Sequence, residues 1–358
     1  MTQNAVLEEL YAARERLLEE AGGTLHGLVT MLQGNSLRGG DLDMTVAITG
    51  PHRAIPVTTA REKFCAALFD SLWDRYRQRV SYVQTYEKVI REAKATFVND
   101  HIAFRTFATQ QPLAGISTIS RIFEALGYRA AGSYHFDDKQ LSAIHFQHAN
   151  PQFPKLFISE LKVWELPPAP RVIVEKTVRA HRPPIGSDVL AALAQLDKDQ
   201  SALADLMTKV DAQFHELPWI LPAKDDVAAL NKVSQYAAWV LVHGYNVNHF
   251  TSLINSHGVP ALDDIEKTIA ALQKAGVPMK SEIEGERGSK LRQTATEAVT
   301  IDVAVHDRGT PTTMPWTYAY FELAQRDVVT DPATGKKVRF EGFLGPQATN
   351  LFEMTRVK

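Results

Sequence analysis

Polar and apolar residues alternate, or nearly alternate, through Asn99-Asp100-His101-Ile102-Ala103-Phe104-Arg105 and again through Asn246-Val247-Asn248-His249-Phe250-Thr251. Each run reads as the start of a β-strand, and each carries one histidine on its inward face. After the first run, residues 115–128 place apolar side chains at helical spacing and stop at a glycine, and 141–147 and 155–163 then read as strands. After the second, 262–276 repeats the amphipathic helix with its glycine stop, and 296–305 and 316–325 read as strands. The order strand, helix, strands therefore occurs twice, with little sequence identity between the copies.

Helical patterns over 5–21, 59–73 and 80–95, around a Gly/Asp/Pro-rich stretch at 34–56, predict a helical flank or cap over 1–95. The first repeat then spans 96–170, a mainly helical insertion 171–244, and the second repeat with a C-terminal segment 245–358. Prolines at 167–170 and 182–184 mark turns. Ser187 or Asp188 is the candidate N-cap of the helix that follows, and prolines break the insertion at 218–222. The glycine-containing stretch 342–353 is expected to fold back over the sheet, which makes Gln347 and Thr349 candidates for substrate contact.

A third segment, Tyr318-Ala319-Tyr320-Phe321-Glu322-Leu323-Ala324, sets one acid inside an apolar and aromatic strand. Two imidazoles and a carboxylate on inward strand positions are what a mononuclear non-haem iron(II) site requires, with other coordination positions left open. Singly, each is more often a packed histidine or a paired acid; their repeated context is what raises them. Period-two alternation puts His101, Ala103 and Arg105 on one face, so Arg105 points into the same cavity as His101. His135, His145, His148, His181, His215, His243, His257 and His306 lie mostly beside turn residues, where exposure is the default. No His-Glu-x-x-His pattern occurs, and Arg38-Gly39-Gly40-Asp41 and 285–290 lack the spacing of a phosphate loop.

The doubled module resembles the vicinal-oxygen-chelate superfamily, whose paired βαβββ units curl into a cup around a metal. Within it, Asn99-Asp100-His101-Ile102-Ala103-Phe104-Arg105-Thr106-Phe107, Asn248-His249-Phe250-Thr251 and Phe321-Glu322-Leu323-Ala324-Gln325-Arg326 resemble the 2-oxoadipate dioxygenase/decarboxylase family over residues 97–353. The resemblance implies an α+β fold with a metal-binding cup, Fe(II) as cofactor, and His101, His249 and Glu322 as its ligands. It implies that Arg105 binds the distal carboxylate of a 2-oxo dicarboxylic acid. The implied reaction converts 2-oxoadipate and O2 to 2-hydroxyglutarate and CO2, a step of lysine breakdown. Glu160 is taken as the first module's counterpart of Glu322 and is expected to accept the second N–H of a ligand histidine. Extradiol cleavage or isomerisation on the same cup, and a small-ligand-binding protein without catalysis, stand as alternatives.

At 358 residues and 45% hydrophobic content, the chain suffices for one large or two medium domains. A net charge of −2 supplies no field for nucleic acid. The single cysteine, Cys65, excludes an internal disulfide and sits in a helical pattern where packing is its role. No apolar run reaches transmembrane length and the N-terminal pattern is not a signal peptide, so a cytoplasmic location without membrane, nucleic-acid or evident protein partner is expected.

Overall fold

The computed structural model describes residues 50–181 and 185–344. The predicted helix at 5–21, the turn at 182–184 and the candidates Gln347 and Thr349 lie outside the described residues. Two helices come first, α1 (Ala60–Arg79) and α2 (Ser81–Glu92). Thr59 starts α1 with a reciprocal cap, its side chain accepting the Glu62 N–H while the Glu62 carboxylate takes the Thr59 N–H.

The first module is β1 (Asn99–Gln110), the short β2 (Leu113–Ala114), α3 (Ile116–Ala125), β3 (Tyr128–Phe136), β4 (Leu141–His148) and β5 (Lys155–Lys162). Five helices follow: α4 (Pro168–Val178), α5 (Ser187–Ala194), α6 (Leu203–Gln213), α7 (Lys224–Asn231) and α8 (Gln235–His243). The remainder is β6 (Val247–Leu253), α9 (Ile265–Lys274), β7 (Leu291–Ala295), β8 (Thr300–Asp307), β9 (Thr310–Thr317), β10 (Glu322–Arg326), β11 (Val328–Thr330) and β12 (Lys337–Arg339).

One curled sheet runs in the order β3-β4-β5-β1-β6-β10-β7. The halves meet where β1 and β6 pair antiparallel, and each half repeats the same step outward. β5 lies parallel to β1 and β10 parallel to β6, while β4 and β7 return antiparallel. Eleven of the twelve β1 residues and all seven of β6 are buried, because one face lines the cup and the other is covered by helices. Strands covered on both faces lose clean polar alternation.

Behind β6, the α1 residues Trp73 and Tyr76 press their rings against Phe250 at centroid distances of 5.0 Å each. Burying a phenylalanine in this way contributes roughly 1.5–3 kcal/mol. The flank helices α1 and α2 thus back the sheet.

Four predicted features differ. Residues 316–325 are not one strand: β9 ends at Thr317, and β10 begins at Glu322. The second module gives the curled sheet three strands, because β8 pairs only with β9 as a separate hairpin. The inward residues Val303 and Val305 of that hairpin are buried, and it joins the helical insertion through a bridge between Ala223 and His306. The prolines at 167–170 open α4, where Pro168 occupies the first turn without losing a hydrogen bond. Neither Ser187 nor Asp188 caps α5; Gly186 holds that position, and both lie inside the first turn.

Candidate metal centre

His101, His249 and Glu322 come together at the centre of the sheet, one ligand-capable atom from each within 4.8 Å of the others. His101 is on β1, His249 on the neighbouring β6, and Glu322 at the first residue of β10, paired with Thr251 of β6. Glu322 Oε1 lies 3.4 Å from His101 Nε2 and Oε2 lies 3.3 Å from His249 Nε2. All three residues are buried.

Two β-bulges create this convergence. Along the β1–β6 ladder, Asn99 pairs with Ser252 and His101 with Thr251, leaving Asp100 as an extra residue. On the other strand, Ala103 pairs with His249 and Phe104 with Val247, leaving Asn248 extra. A bulge re-aims side chains next to it. Each extra residue precedes a candidate ligand and accepts its Nδ1–H: Asp100 Oδ2 at 2.8 Å from His101, and Asn248 Oδ1 at 3.0 Å from His249. With Nδ1 carrying the proton, each imidazole presents Nε2 to the centre as a lone-pair donor.

The two supports differ in charge. Asp100 is gripped by Arg326 through two hydrogen bonds of 2.6 and 2.7 Å, and neither side chain is exposed. Burial opposes the Asp100 charge, but Arg326 and then Lys155 hold its carboxyl well below the usual range. Burial likewise opposes protonation of His101, yet the Asp100 and Glu322 carboxylates outweigh it and raise that imidazole. Asn248 brings no charge. Burial, aided by His101 and Arg105 and only partly offset by Glu322, pulls His249 down to about 3.

Glu322 is the point where a cation fits. Its Oε1 accepts a hydrogen bond from the Gln293 amide on β7, while its buried Oε2 has no hydrogen-bond partner among the described residues. A carboxylate oxygen left so in the interior is costly unless a cation completes it. Two imidazole nitrogens and one carboxylate oxygen suit a first-row divalent metal. Tyr320 stacks on His249 at 4.9 Å and 27°, and Phe343 stands edge-on to His101 at 4.9 Å.

The cavity beside these donors is lined by Ala103, Arg105, Phe157, Ser159, Asn248, Phe343 and Leu344 among others, with a free volume of about 30 Å³. Arg105 is buried on the same strand face as His101, two alternations away. Its guanidinium lies over Tyr236 at 5.0 Å and Trp239 at 5.3 Å, both on α8. Tyr236 is held in turn by a 2.9 Å hydrogen bond to the Ser159 hydroxyl. The insertion therefore supplies the bed on which Arg105 rests.

Glu160 is not a support for a ligand histidine. On β5 it alternates with Phe157 and Ser159, which line the cavity, so it faces the helices instead. Its Oε2 accepts the Ile116 N–H at 2.8 Å and caps α3, where Gly115 at φ 151° offers no side chain of its own. With His101 matched to His249, the pairing register makes Phe157, the neighbour of Ala103, the first-module counterpart of Glu322, the neighbour of Thr251. The expectation of exposed histidines fails at His145, His181, His243 and His257, which are buried. Each has a partner: Tyr134 hydroxyl, Tyr245 hydroxyl, Thr317 carbonyl and Leu262 carbonyl respectively.

Asp100, Asn248, Gln293, Tyr320, Arg326 and Phe343 were not singled out from the sequence. The twin dipeptides Asp100-His101 and Asn248-His249 were its visible signal, since a polar residue before each histidine breaks the period of two. Nothing local marks Gln293 or Arg326, which reach the site through sheet pairing.

Comparison with known proteins gives one consistent result. The family model for 2-oxoadipate dioxygenase/decarboxylase matches residues 67–344. The 2-oxoadipate dioxygenase/decarboxylase, chloroplastic/amyloplastic, of Oryza sativa subsp. japonica is 25% identical over 343 residues, covering 90% of this chain and 87% of its own. Among solved structures, a glyoxalase superfamily protein from Ralstonia eutropha JMP134 superposes with a TM-score of 0.71 at 22% identity, over 84% of this chain and 92% of that one. The hydroxyglutarate synthase of Oryza sativa, in complex with 2-oxoadipate, gives 0.66 at 24% identity, over 85% and 97%. These two structural likenesses carry the fold.

Proposed function

The chain belongs to the 2-oxoadipate dioxygenase/decarboxylase family, and we propose that it is an Fe(II)-dependent enzyme converting 2-oxoadipate and O2 to 2-hydroxyglutarate and CO2. The atoms balance without an outside reductant, because the oxo acid supplies the electrons as it loses its C1 carboxylate. The observation that carries the reading is the meeting, at one small cavity, of two imidazoles and a buried arginine, next to a carboxylate oxygen without a hydrogen-bond partner among the described residues. The rice relative whose structure holds 2-oxoadipate supports the choice of acid. A place in lysine breakdown belongs to the same proposal.

His101, His249 and Glu322 would hold the metal. Bound Fe(II) supplies chelation of the 2-oxo acid and the activation of O2 that oxidative decarboxylation needs. Arg105 clamps the distal carboxylate, since its planar guanidinium can donate two parallel hydrogen bonds to it. Stacking on Tyr236 and Trp239 fixes the plane of that guanidinium before substrate arrives, so little side-chain entropy is lost on binding. Phe157 and Phe343 wall the cavity with apolar surface and keep bulk water from the reacting end.

The test is anaerobic loading with Fe(II) followed by 2-oxoadipate and air, with product identified by mass spectrometry. Stoichiometric CO2 and 2-hydroxyglutarate are expected from the native protein. His101→Ala, His249→Ala and Glu322→Ala are expected to lose metal and turnover. Arg105→Ala keeps its iron but weakens 2-oxoadipate by about 2–5 kcal/mol, and Arg105→Lys recovers only part of that. Equal loss on a monocarboxylic 2-oxo acid would remove the distal-carboxylate role of Arg105. Failure of the native protein to retain iron would remove the reading altogether.

A further inference from the structure

Asn248 has two ends with different fates. Its Oδ1 accepts the His249 Nδ1–H at 3.0 Å, and its Nδ2 is buried without a partner among the described residues. The orientation is set by chemistry: an imidazole that offers Nε2 to the centre carries its proton on Nδ1, so only the amide oxygen can face it. The amide N–H2 is therefore turned away from His249, and Asn248 lines the cavity at 1% exposure. The bulge makes this placement, since without the extra residue Asn248 and His249 would face opposite sides of the sheet.

Its counterpart on the other strand shows what a purely supporting residue looks like. Asp100 takes the His101 Nδ1–H with Oδ2, and Arg326 takes up both carboxylate oxygens. Both Asp100 oxygens are thus engaged within the described residues. At Asn248 a buried donor has no acceptor among the described residues, a standing cost that a ligand can relieve.

We propose that Asn248 is a substrate-binding residue, its Nδ2–H2 donating to an oxygen at the 2-oxo end of the bound acid while its Oδ1 orients His249. This rests on the reading of the site as a 2-oxoadipate pocket. The acid carries acceptors only at its two ends, and Arg105 takes the distal carboxylate. Asn248 lies opposite the Ala103–Phe104 step of β1, between the levels of His101 and Arg105. The C1 carboxylate and keto oxygens are the acceptors left for it.

The experiment is anaerobic calorimetry on Fe(II)-loaded protein with two probes, 2-oxoadipate and 2-oxohexanoate, which has the same chain length without the distal carboxylate. Asn248→Asp keeps the acceptor for His249, so metal content stays at the native level while affinity falls about tenfold or more for both probes. Asn248→Leu is neutral and has no donor; loaded at saturating Fe(II), it is expected to lose similar affinity and, lacking the acceptor, to release metal sooner on dilution. Native affinity in both variants overturns the proposal. So does loss in Asn248→Asp alone, which would report added charge, or loss confined to 2-oxoadipate, which would place Asn248 with Arg105. Failure of the native protein to bind either probe would instead overturn the reading of the pocket itself.

Discussion

Asp100 sits directly behind one candidate ligand and is itself locked by a buried arginine, so one atom's change there tests both support and stability. Asp100→Asn preserves shape and can still accept the His101 Nδ1–H. It leaves Arg326 buried without its counter-charge, although the Phe340 and Gly342 carbonyls still accept from that guanidinium. Removing one partner of a buried pair costs about 3–5 kcal/mol, and loss of a charged support weakens metal binding by roughly 10–100-fold. Thermal melting of the metal-free protein and a competitive metal titration measure the two effects separately. A folded variant with native metal affinity would mean that the Asp100 charge does not tune His101.

Between elements, the β-bulges and the short strand β7 decide what was legible in the sequence. The two histidine runs could be seen because each opens a strand and each precedes an amphipathic helix with a glycine stop. Their convergence could not be seen. It depends on a register in which one extra residue per strand turns Asp100 and Asn248 toward their histidines. Glu160 resembled Glu322 by its place in a βαβββ repeat, but side-chain parity on β5 sends it to the helix layer. β7 was missed because its five residues, Leu-Arg-Gln-Thr-Ala, carry no apolar alternation; all five are nevertheless buried.

Opposite β7, Glu284 exchanges backbone hydrogen bonds with Gln293, and its Oε2 is buried without a partner among the described residues. Burial, reinforced by Glu322 and only partly countered by Lys280, pushes its carboxyl up to about 7. A carboxyl raised on folding binds its proton more tightly in the folded state, so stability falls as pH rises from the ordinary carboxylate range of about 4.3 to about 7. In metal-free protein, Glu284→Gln is expected to melt higher than the native chain at pH 8, with the difference shrinking toward pH 5. A variant that loses more stability at pH 8 than at pH 5 would show that the 3.2 Å contact with Lys280 outweighs burial.

At the scale of the whole molecule, access is the unsolved demand of this architecture. Helices close the back of the sheet, and on the cup side the strap after β12 brings Phe343 edge-on to His101 and within 5.0 Å of Phe157. Arg326 ties that strap from below, donating to the Phe340 and Gly342 carbonyls with its guanidinium 5.2 Å from the Phe343 ring. The same arginine grips Asp100, so the support of a candidate ligand and the closure of the cavity share one side chain. A free volume of about 30 Å³ holds little more than a water or two, and a six-carbon diacid needs more. Swinging Phe343 away from His101 is the expected entry step, at the cost of the ring's contacts with His101 and Phe157. Phe343→Ala removes that step and is expected to speed association of 2-oxoadipate several-fold in anaerobic stopped flow. Its equilibrium affinity should fall at the same time, because the wall that excludes water is gone. Unchanged association kinetics with weakened affinity would assign Phe343 to packing against the bound acid and place the entry route elsewhere on the cup.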